Sequence, residues 1–213
     1  MMPGSGRNPW SRTHGERNFI ACSELFSTKF LSFFRSPLLN VAAETLTDMG
    51  YKFDFTNAGG TQVITAKFTP QSLQGNTLLL IITADRDGYL QCLSKIFNNS
   101  PADKRAAVIE AVMRANYGLR VGAFQMDYRD GEILYKSELP LSLSTSPDQL
   151  KIMIRSLISC NLSTHDRYYR TFRAILYENK TAEEAIAIVE GPGTGGGSSG
   201  TRFILPHFTI VGF

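Results

Sequence analysis

Two hydrophobic periods follow one another in the central part of the chain and predict its first elements. Apolar residues recur every three to four positions over residues 37–50, which predicts an amphipathic helix that begins after a Ser-Pro pair and ends at a glycine. The period then changes to two, with Tyr51, Phe53 and Phe55 alternating with polar residues. This alternation is typical of a strand that has one apolar face.

Three more strands are expected before the next helix. Residues 61–68 are rich in β-branched side chains, and residues 76–84 form a continuous apolar run that predicts a central strand of a sheet. A polar turn over residues 85–88 predicts a hairpin, so that the chain returns as a fourth strand over residues 89–97.

A second helix and a second hairpin follow. Ser100-Pro101 is a helix-start pair, and the helix that it begins is predicted to end near Gly118. Strands over residues 120–128 and 132–138 flank Asp130-Gly131, a dipeptide typical of a two-residue type I′ loop. That loop predicts three facing pairs, in which apolar meets apolar and opposite charges meet: Tyr128 with Ile133, Met126 with Tyr135, and Arg129 with Glu132.

Helical patterns fill the region from residue 146 to residue 190. Ser146-Pro147 begins a helix with Gln149 in a capping box, and a break near Ser163-Thr164 is expected to separate it from a second helical piece. Thr181 opens a short helix with another capping box. The order α-ββββ-α-ββ-α-α predicts an α+β fold of two layers, a mostly antiparallel sheet with helices packed on it.

Composition divides the chain into four segments. Residues 1–35 are rich in Gly, Pro, Arg and Asn, which predicts a flexible leader. Residues 36–191 are predicted to form the folded domain, and residues 192–201 a flexible Gly/Ser-rich linker. Residues 202–213 form an apolar, β-branched tail. Three roles for that tail stay open: an added strand, a peptide that docks elsewhere, or a segment with no evolved role.

The net charge of +3 is carried by the leader. Residues 1–36 hold five basic and two acidic side chains, so the remainder of the chain is balanced. A domain that binds nucleic acid concentrates Lys and Arg on itself, which makes nucleic acid an unfavoured partner. A basic, acid-poor leader is also typical of a transit peptide, so a plastid or another organelle is the alternative to the cytoplasm. No run of about 18 apolar residues appears, and no transmembrane helix is expected.

Residues 78–97, 114–139 and 161–191 form three segments whose order and spacing resemble those of the YbjN family. Residues 114–139 (RANYGLRVGAFQMDYRDGEILYKSEL) have its Asn-Tyr-Gly helix end, its strand of the form G-x-F-x-hydrophobic-D and its tight Asp-Gly turn. Residues 161–191 resemble its C-terminal helices, and residues 78–97 its strand pair before a Pro-initiated helix. The resemblance covers residues 37–191 and implies a fold similar to class I type III secretion chaperones. Those are small, often dimeric proteins that hold extended segments of partner proteins, and enteric YbjN members are described as sensory-transduction regulators.

Eight residues match the family pattern and are predicted to be mainly architectural. Gly118 is expected to end a helix with a positive φ, and Gly131 to take a positive φ in a turn. Asn116 is expected to cap backbone groups, and Asp127 to bond the N–H groups of the turn. The eight are Asn116, Tyr117, Gly118, Gly122, Phe124, Asp127, Asp130 and Gly131.

No catalytic, metal or cofactor site is predicted. His165-Asp166 is interpreted as the surface start of a helix, because the other two histidines, His14 and His207, lie in the leader and the tail. The three cysteines lack CxxC spacing, which indicates reduced thiols rather than a disulfide framework or a zinc site.

The expected function is therefore a non-enzymatic protein-binding module, chaperone-like or regulatory, that holds segments of partner proteins and forms a homodimer. Candidate contacts are four aromatic residues that are expected to be exposed: Phe53, Phe55, Tyr89 and Tyr135. A competing hypothesis is that the tail, tethered by its linker, occupies the binding groove in cis.

Two other functions stay open. An enzyme with an unrecognised site would need Asp127 to converge with Arg120 or His165. An RNA-associated protein would use the leader together with an Arg/Tyr helix face, formed by Arg167, Tyr168, Tyr169, Arg170 and Arg173.

Overall fold

The computed structural model of the chain describes residues 36–69, 77–85, 88–97, 99–142 and 144–191, together with the backbone of residues 209–210. Four helices and seven strands lie in these ranges: α1 Pro37–Asp48, β1 Asp54–Ala58, β2 Thr61–Thr69, β3 Leu78–Ala84, β4 Tyr89–Phe97, α2 Arg105–Gly118, β5 Ala123–Met126, β6 Ile133–Pro140, α3 Pro147–Glu178, α4 Ala182–Glu190 and β7 Thr209–Ile210. A 3-10 turn, Ala102–Lys104, leads into α2. The predicted order and the α+β class are confirmed up to α4.

The sheet is antiparallel, with the strand order β1-β2-β3-β4-β6-β5 and with β7 paired to β2. Strand β3 lies between β2 and β4, so the continuous apolar run forms an inner strand as predicted. Helix α1 contacts β2 and β3, α2 contacts β5, and α3 contacts β4 and β6. Because α3 also contacts the other three helices, all four lie on the same face of the sheet.

The core lies between the helices and alternate residues of the strands. One register row, Ile64, Ile82, Cys92 and Ser137, crosses the four central strands and is almost completely inaccessible to solvent. The side chains between these rows point to the opposite face, as the period of two requires. Each fully buried Leu or Ile contributes about 1.5–3 kcal/mol, so the alternating pattern provides the main stabilisation of this layer.

Helix α3 is continuous over 32 residues, and the predicted break near Ser163-Thr164 is wrong. The Ser163 hydroxyl donates to the carbonyl oxygen of Cys160 at 3.1 Å, so it is satisfied within the helix rather than ending it. Ser146 forms the first half of the predicted capping box, by accepting a hydrogen bond from the N–H of Gln149 at 3.4 Å. The helix ends at Asn179, which has a left-handed conformation with φ of 56°.

The register of the second hairpin differs from the predicted one by two residues. Met126 lies opposite Ile133, not Tyr135, and Phe124 lies opposite Tyr135. A shift of two leaves every side chain on the same face of the sheet, so the hydrophobic pattern is equally satisfied by both registers.

The loop of this hairpin explains the shift, because it is longer than the predicted two residues. The N–H of Gly131 donates to the Asp127 carbonyl at 2.7 Å, and the N–H of Asp127 donates to the Glu132 carbonyl at 3.0 Å. Arg129 pairs with Asp127 at 2.7 Å, while Glu132 forms an ion pair with Lys95 of β4. The expected Arg129–Glu132 pair is therefore replaced by two others.

Candidate protein-binding surfaces

The outer edge of the sheet at β5 is closed by one side chain. The Nδ2 group of Asn116 donates to the Phe124 carbonyl at 3.0 Å, and the Phe124 N–H donates to Oδ1 of Asn116 at 2.8 Å. The amide of Asn116 thus takes the place of a neighbouring strand at the middle of β5. Such pairing protects an edge strand from association with another chain.

Replacing Asn116 with alanine is expected to lower the free energy of unfolding by about 1–3 kcal/mol, because both backbone groups of Phe124 lose their partner. Urea unfolding followed by circular dichroism measures this change. The control is Arg173→Ala on the C-terminal half of the long helix α3, which removes only an exposed ion pair with Glu178 and is expected to cost less than about 0.5 kcal/mol. Equal losses in the two variants would contradict the role assigned to Asn116.

Two glycines of the family pattern are required by close approach of other groups. Gly122 has a φ of +73°, and a Cβ atom there would lie 2.5 Å from the Lys136 carbonyl oxygen and 2.7 Å from the Tyr135 hydroxyl. Gly131 has a φ of +79°, and a Cβ atom would lie 2.4 Å from the Ser100 carbonyl oxygen. Since L residues rarely adopt such φ values, neither position accepts a side chain without strain.

Gly118 does not have the positive φ that was predicted for it. It is the last residue of α2, and the chain leaves the helix through Leu119 in an extended conformation. A Cβ atom at Gly118 would lie 3.9 Å from Oε1 of Glu190, so the helix end lies close to the end of α4.

The two aspartates of the pattern organise the turn between β5 and β6. Asp127 accepts a hydrogen bond from the Arg129 N–H at 2.9 Å, and Asp130 accepts one from the Glu132 N–H at 3.0 Å. Hydrogen bonds from the side chain and backbone of Arg129 lower the pKa of Asp127 to about 2. An ionised carboxylate held in an exposed ion pair is suited to a turn and poorly suited to proton transfer.

The four aromatic candidates have different environments. Phe53 and Phe55 are half-buried, with ring centroids 5.8 Å apart in an edge-to-face arrangement, and both pack against the core. Tyr89 is 41% exposed at the start of β4. Tyr135 is completely buried and its hydroxyl donates to the Val121 carbonyl, so the expectation that its ring is exposed is wrong.

Helix α2 carries an exposed apolar stripe that sequence reasoning missed. Ile109, Met113 and Tyr117 lie four residues apart and are 37%, 66% and 80% exposed. The opposite side of α2 is buried through Val108, Ala111, Val112 and Ala115. The spacing was visible in the sequence, but only the orientation of the helix shows which of its two apolar stripes faces solvent.

His165 lies in the middle of α3 and is 1% exposed, so its assignment to the surface start of a helix is wrong. Burial lowers its pKa to about 3. One turn earlier, the buried Asn161 donates to the Cys92 carbonyl at 3.0 Å and to the Ser137 hydroxyl at 2.9 Å. The two hydrogen bonds of Asn161 fix the middle of α3 on β4 and β6.

The residues named for an enzyme do not share a site. Burial is the sole cause of the lowered pKa of His165, and Asp127 interacts with Arg129 and Arg105 rather than with Arg120. Within the ranges that the structure describes, no group of three or more His, Cys, Asp or Glu side chains could hold a metal ion.

The Arg/Tyr face of α3 is also divided. Arg167 is exposed and donates to the Val189 carbonyl at 3.1 Å, whereas Tyr168 and Tyr169 are 2% and 7% exposed. RNA recognition by stacking needs aromatic rings that bases can reach, and these two rings are in the core.

Among the described helices, none is long and apolar enough to cross a membrane.

The chain is similar to proteins of one family. The family model "YbjN: Putative bacterial sensory transduction regulator" matches residues 41–174. Among solved structures, the chain is similar to "YbjN, a putative transcription regulator from E. coli", with 13% sequence identity, a TM-score of 0.41, and coverage of 59% of this chain and 86% of that chain. A search of curated proteins found no match. Because the family model spans more than half of the sequence, this chain belongs to the YbjN family.

Proposed function

We propose that this protein is a non-enzymatic protein-binding module, chaperone-like or regulatory, which forms a homodimer and holds an extended segment of a partner protein. The exposed stripe of Ile109, Met113 and Tyr117 on α2 is the observation that carries the proposal. Large apolar side chains with this exposure, aligned along a helix, are typical of a protein–protein contact. The family description names a regulator and no reaction, which is consistent with this function.

The occupant that fits the α2 stripe is a second copy of the same helix. In an antiparallel pair centred on Met113, Ile109 of one copy lies beside Tyr117 of the other. Glu110 and Arg114, which form an ion pair at 2.7 Å beside the stripe, would meet Arg114 and Glu110 of the other copy. The charges that flank the stripe are therefore complementary to themselves, as a two-fold interface requires.

Changing Met113 to glutamate is expected to convert the dimer into a monomer. A buried charge at the centre of the interface should raise the dimer dissociation constant at least about 100-fold, which corresponds to the loss of one interface hot spot. Sedimentation equilibrium of the full chain measures the mass over a range of concentrations.

Ile152→Glu is the matched control for the dimer. Ile152 on α3 is 64% exposed, almost as much as Met113, but it lies outside the stripe. The control variant is expected to keep the mass of the parent chain. A monomeric parent chain, or equal loss of association in both variants, would exclude the dimer.

The partner segment is proposed to contact the aromatic side chains that remain accessible. Tyr89 is exposed on the face of the sheet opposite the helices, while Phe53 and Phe55, just before and within the outer strand β1, are half-buried against the core. A photoreactive amino acid at position 89 of the full chain should capture a defined set of proteins, and the same group at position 152 should not. Identical proteins captured from both positions would contradict a specific binding surface.

A further inference from the structure

The edge of β2 extends beyond the strand that covers it. Strand β1 pairs with β2 only from Thr61 to Thr65, whereas on the other side β3 pairs with β2 as far as Phe68. Residues 66–69 of β2 therefore have an edge that β1 does not reach. Backbone N–H and C=O groups along such an edge form a template for another strand.

The C-terminal segment of the same chain occupies part of this edge. Ile210 lies opposite Phe68 and Thr209 lies opposite Thr69, in an antiparallel register. The short strand β7 thus continues the line of β1 along β2. Both of its residues are β-branched, which favours the extended conformation.

The template itself is held rigidly by the core. Phe68 is 2% exposed and meets the ring of Tyr51 edge to face at a centroid distance of 4.9 Å, and Ala66 is 1% exposed. Because β2 is already ordered, an incoming strand loses only its own conformational freedom on binding. The β5 edge differs, because Asn116 already pairs with both backbone groups of Phe124 there.

The contact made by β7 is small enough to be exchanged. Two residue pairs provide few hydrogen bonds, and each contributes little net free energy because it replaces a hydrogen bond to water. Because the segment belongs to the same chain, its effective concentration at the edge is on the order of millimolar, which favours occupancy despite the small contact.

We propose that residues 66–69 of β2 are a strand-addition site, in which Thr209–Ile210 is a resident strand that a partner must displace. The partner is an extended, β-branched segment of another protein that pairs antiparallel with β2. This inference rests on the proposed protein-binding function and adds the location of the partner segment and its regulation by the C-terminal tail.

The test uses the full chain and a labelled peptide of residues 202–213 as the probe. In the variant Thr209→Pro/Ile210→Pro, the tail has no N–H donor at either paired position. The probe is expected to bind this variant about 2-fold more tightly than the parent chain, as a resident strand at millimolar effective concentration predicts for a peptide with a dissociation constant of about 1 mM. Fluorescence anisotropy measures both affinities, and Ser198→Pro, outside the paired residues, is expected to behave as the parent chain.

Hydrogen exchange locates the contact. Protection of those amides of residues 66–69 that point away from β3 is expected to fall in the double-proline variant and to return when the probe is added. Equal affinities for parent and variant, or binding without protection at residues 66–69, would overturn the proposal. Protection that rises with protein concentration would indicate exchange of tails between two copies, and would overturn the assignment of a resident strand in cis.

The two proposals fail in different ways. A partner captured through position 89 that does not compete with the probe would remove the strand-addition site and leave the binding function. If the probe binds residues 66–69 but the chain captures no partner and stays monomeric, the proposed function is excluded and the strand-addition site is retained.

Discussion

Replacing Gly131 with alanine is expected to lower the free energy of unfolding by roughly 3–5 kcal/mol. Two costs add at this position. The residue has a φ of +79°, which alanine adopts only with strain, and the new Cβ atom would lie 2.4 Å from the carbonyl oxygen and 2.6 Å from the nitrogen of Ser100. These are backbone atoms, so no side chain can rotate away to relieve the contact.

The contact matters because it joins two parts of the fold. The N–H of Ser100 donates to the Gly131 carbonyl at 2.9 Å, and Arg105 at the start of α2 donates to the Tyr128 carbonyl at 2.8 Å. Moving the hairpin loop away from Ser100 would weaken both hydrogen bonds. The loss is therefore expected to exceed the strain of a single residue.

Gly50→Ala is the matched control for the Gly131 variant. Gly50 has a similar φ of +74°, but no atom lies within 4 Å of the Cβ position. Its replacement is expected to cost about 1 kcal/mol, from backbone conformation alone. Guanidinium unfolding of both variants separates the two costs, and an equal loss at the two glycines would show that the approach to Ser100 contributes nothing.

Acidification from pH 7 to pH 5 is expected to destabilise the protein by about 2 kcal/mol through His165 alone. Burial lowers the pKa of this histidine to about 3, whereas in the unfolded chain it titrates near its usual value of 6.5. Below pH 6.5 the unfolded state binds a proton that the folded state does not. Stability is therefore highest above pH 6.5 and falls as the pH decreases toward 3.

The variant His165→Gln isolates this contribution because glutamine does not titrate. From pH 7 to pH 5, the free energy of unfolding of this variant is expected to fall by about 2 kcal/mol less than that of the parent chain. The adjacent Asp166, whose pKa is raised by burial, remains present in both proteins, so its opposing effect cancels in the difference.

A second variant provides the control for the pH dependence. Joint replacement of the other two histidines, His14 and His207, by glutamine is expected to retain the contribution of about 2 kcal/mol, because His165 is still present. Urea unfolding at a series of pH values measures all three proteins. A parent-like pH dependence in His165→Gln would show that the histidine is not buried as a neutral group.

Local patterns predicted the elements well because the residues that begin and end them act within a few positions. Ser146 and Thr181 accept hydrogen bonds from backbone N–H groups three residues later, a contact that depends on no distant part of the chain. The inner position of β3 followed for a similar reason, since a strand that is apolar on both faces is stable only between other strands.

Pairing within the hairpin and the environment of His165 could not be predicted in the same way. The two registers of β5 and β6 place identical side chains on identical faces, and the longer loop is stabilised by its contact with Ser100, which lies about 30 positions earlier. His165 looked like the start of a surface helix because Ser163 and Thr164 often precede one. The helix continues instead because both sides of that point bury the same face.

The sequence by itself determined the α+β order of elements, the positions of most caps and the membership of the YbjN family, since each depends on local periodicity or on a contiguous motif. Only the tertiary structure decided which residues reach solvent. Tyr135 is buried and Met113 is exposed because the helices cover one face of the sheet, and the side of α2 that packs against this layer contains Val112 rather than Met113. The edge of β2 is likewise a tertiary property, because it exists only where β1 ends before its neighbour does.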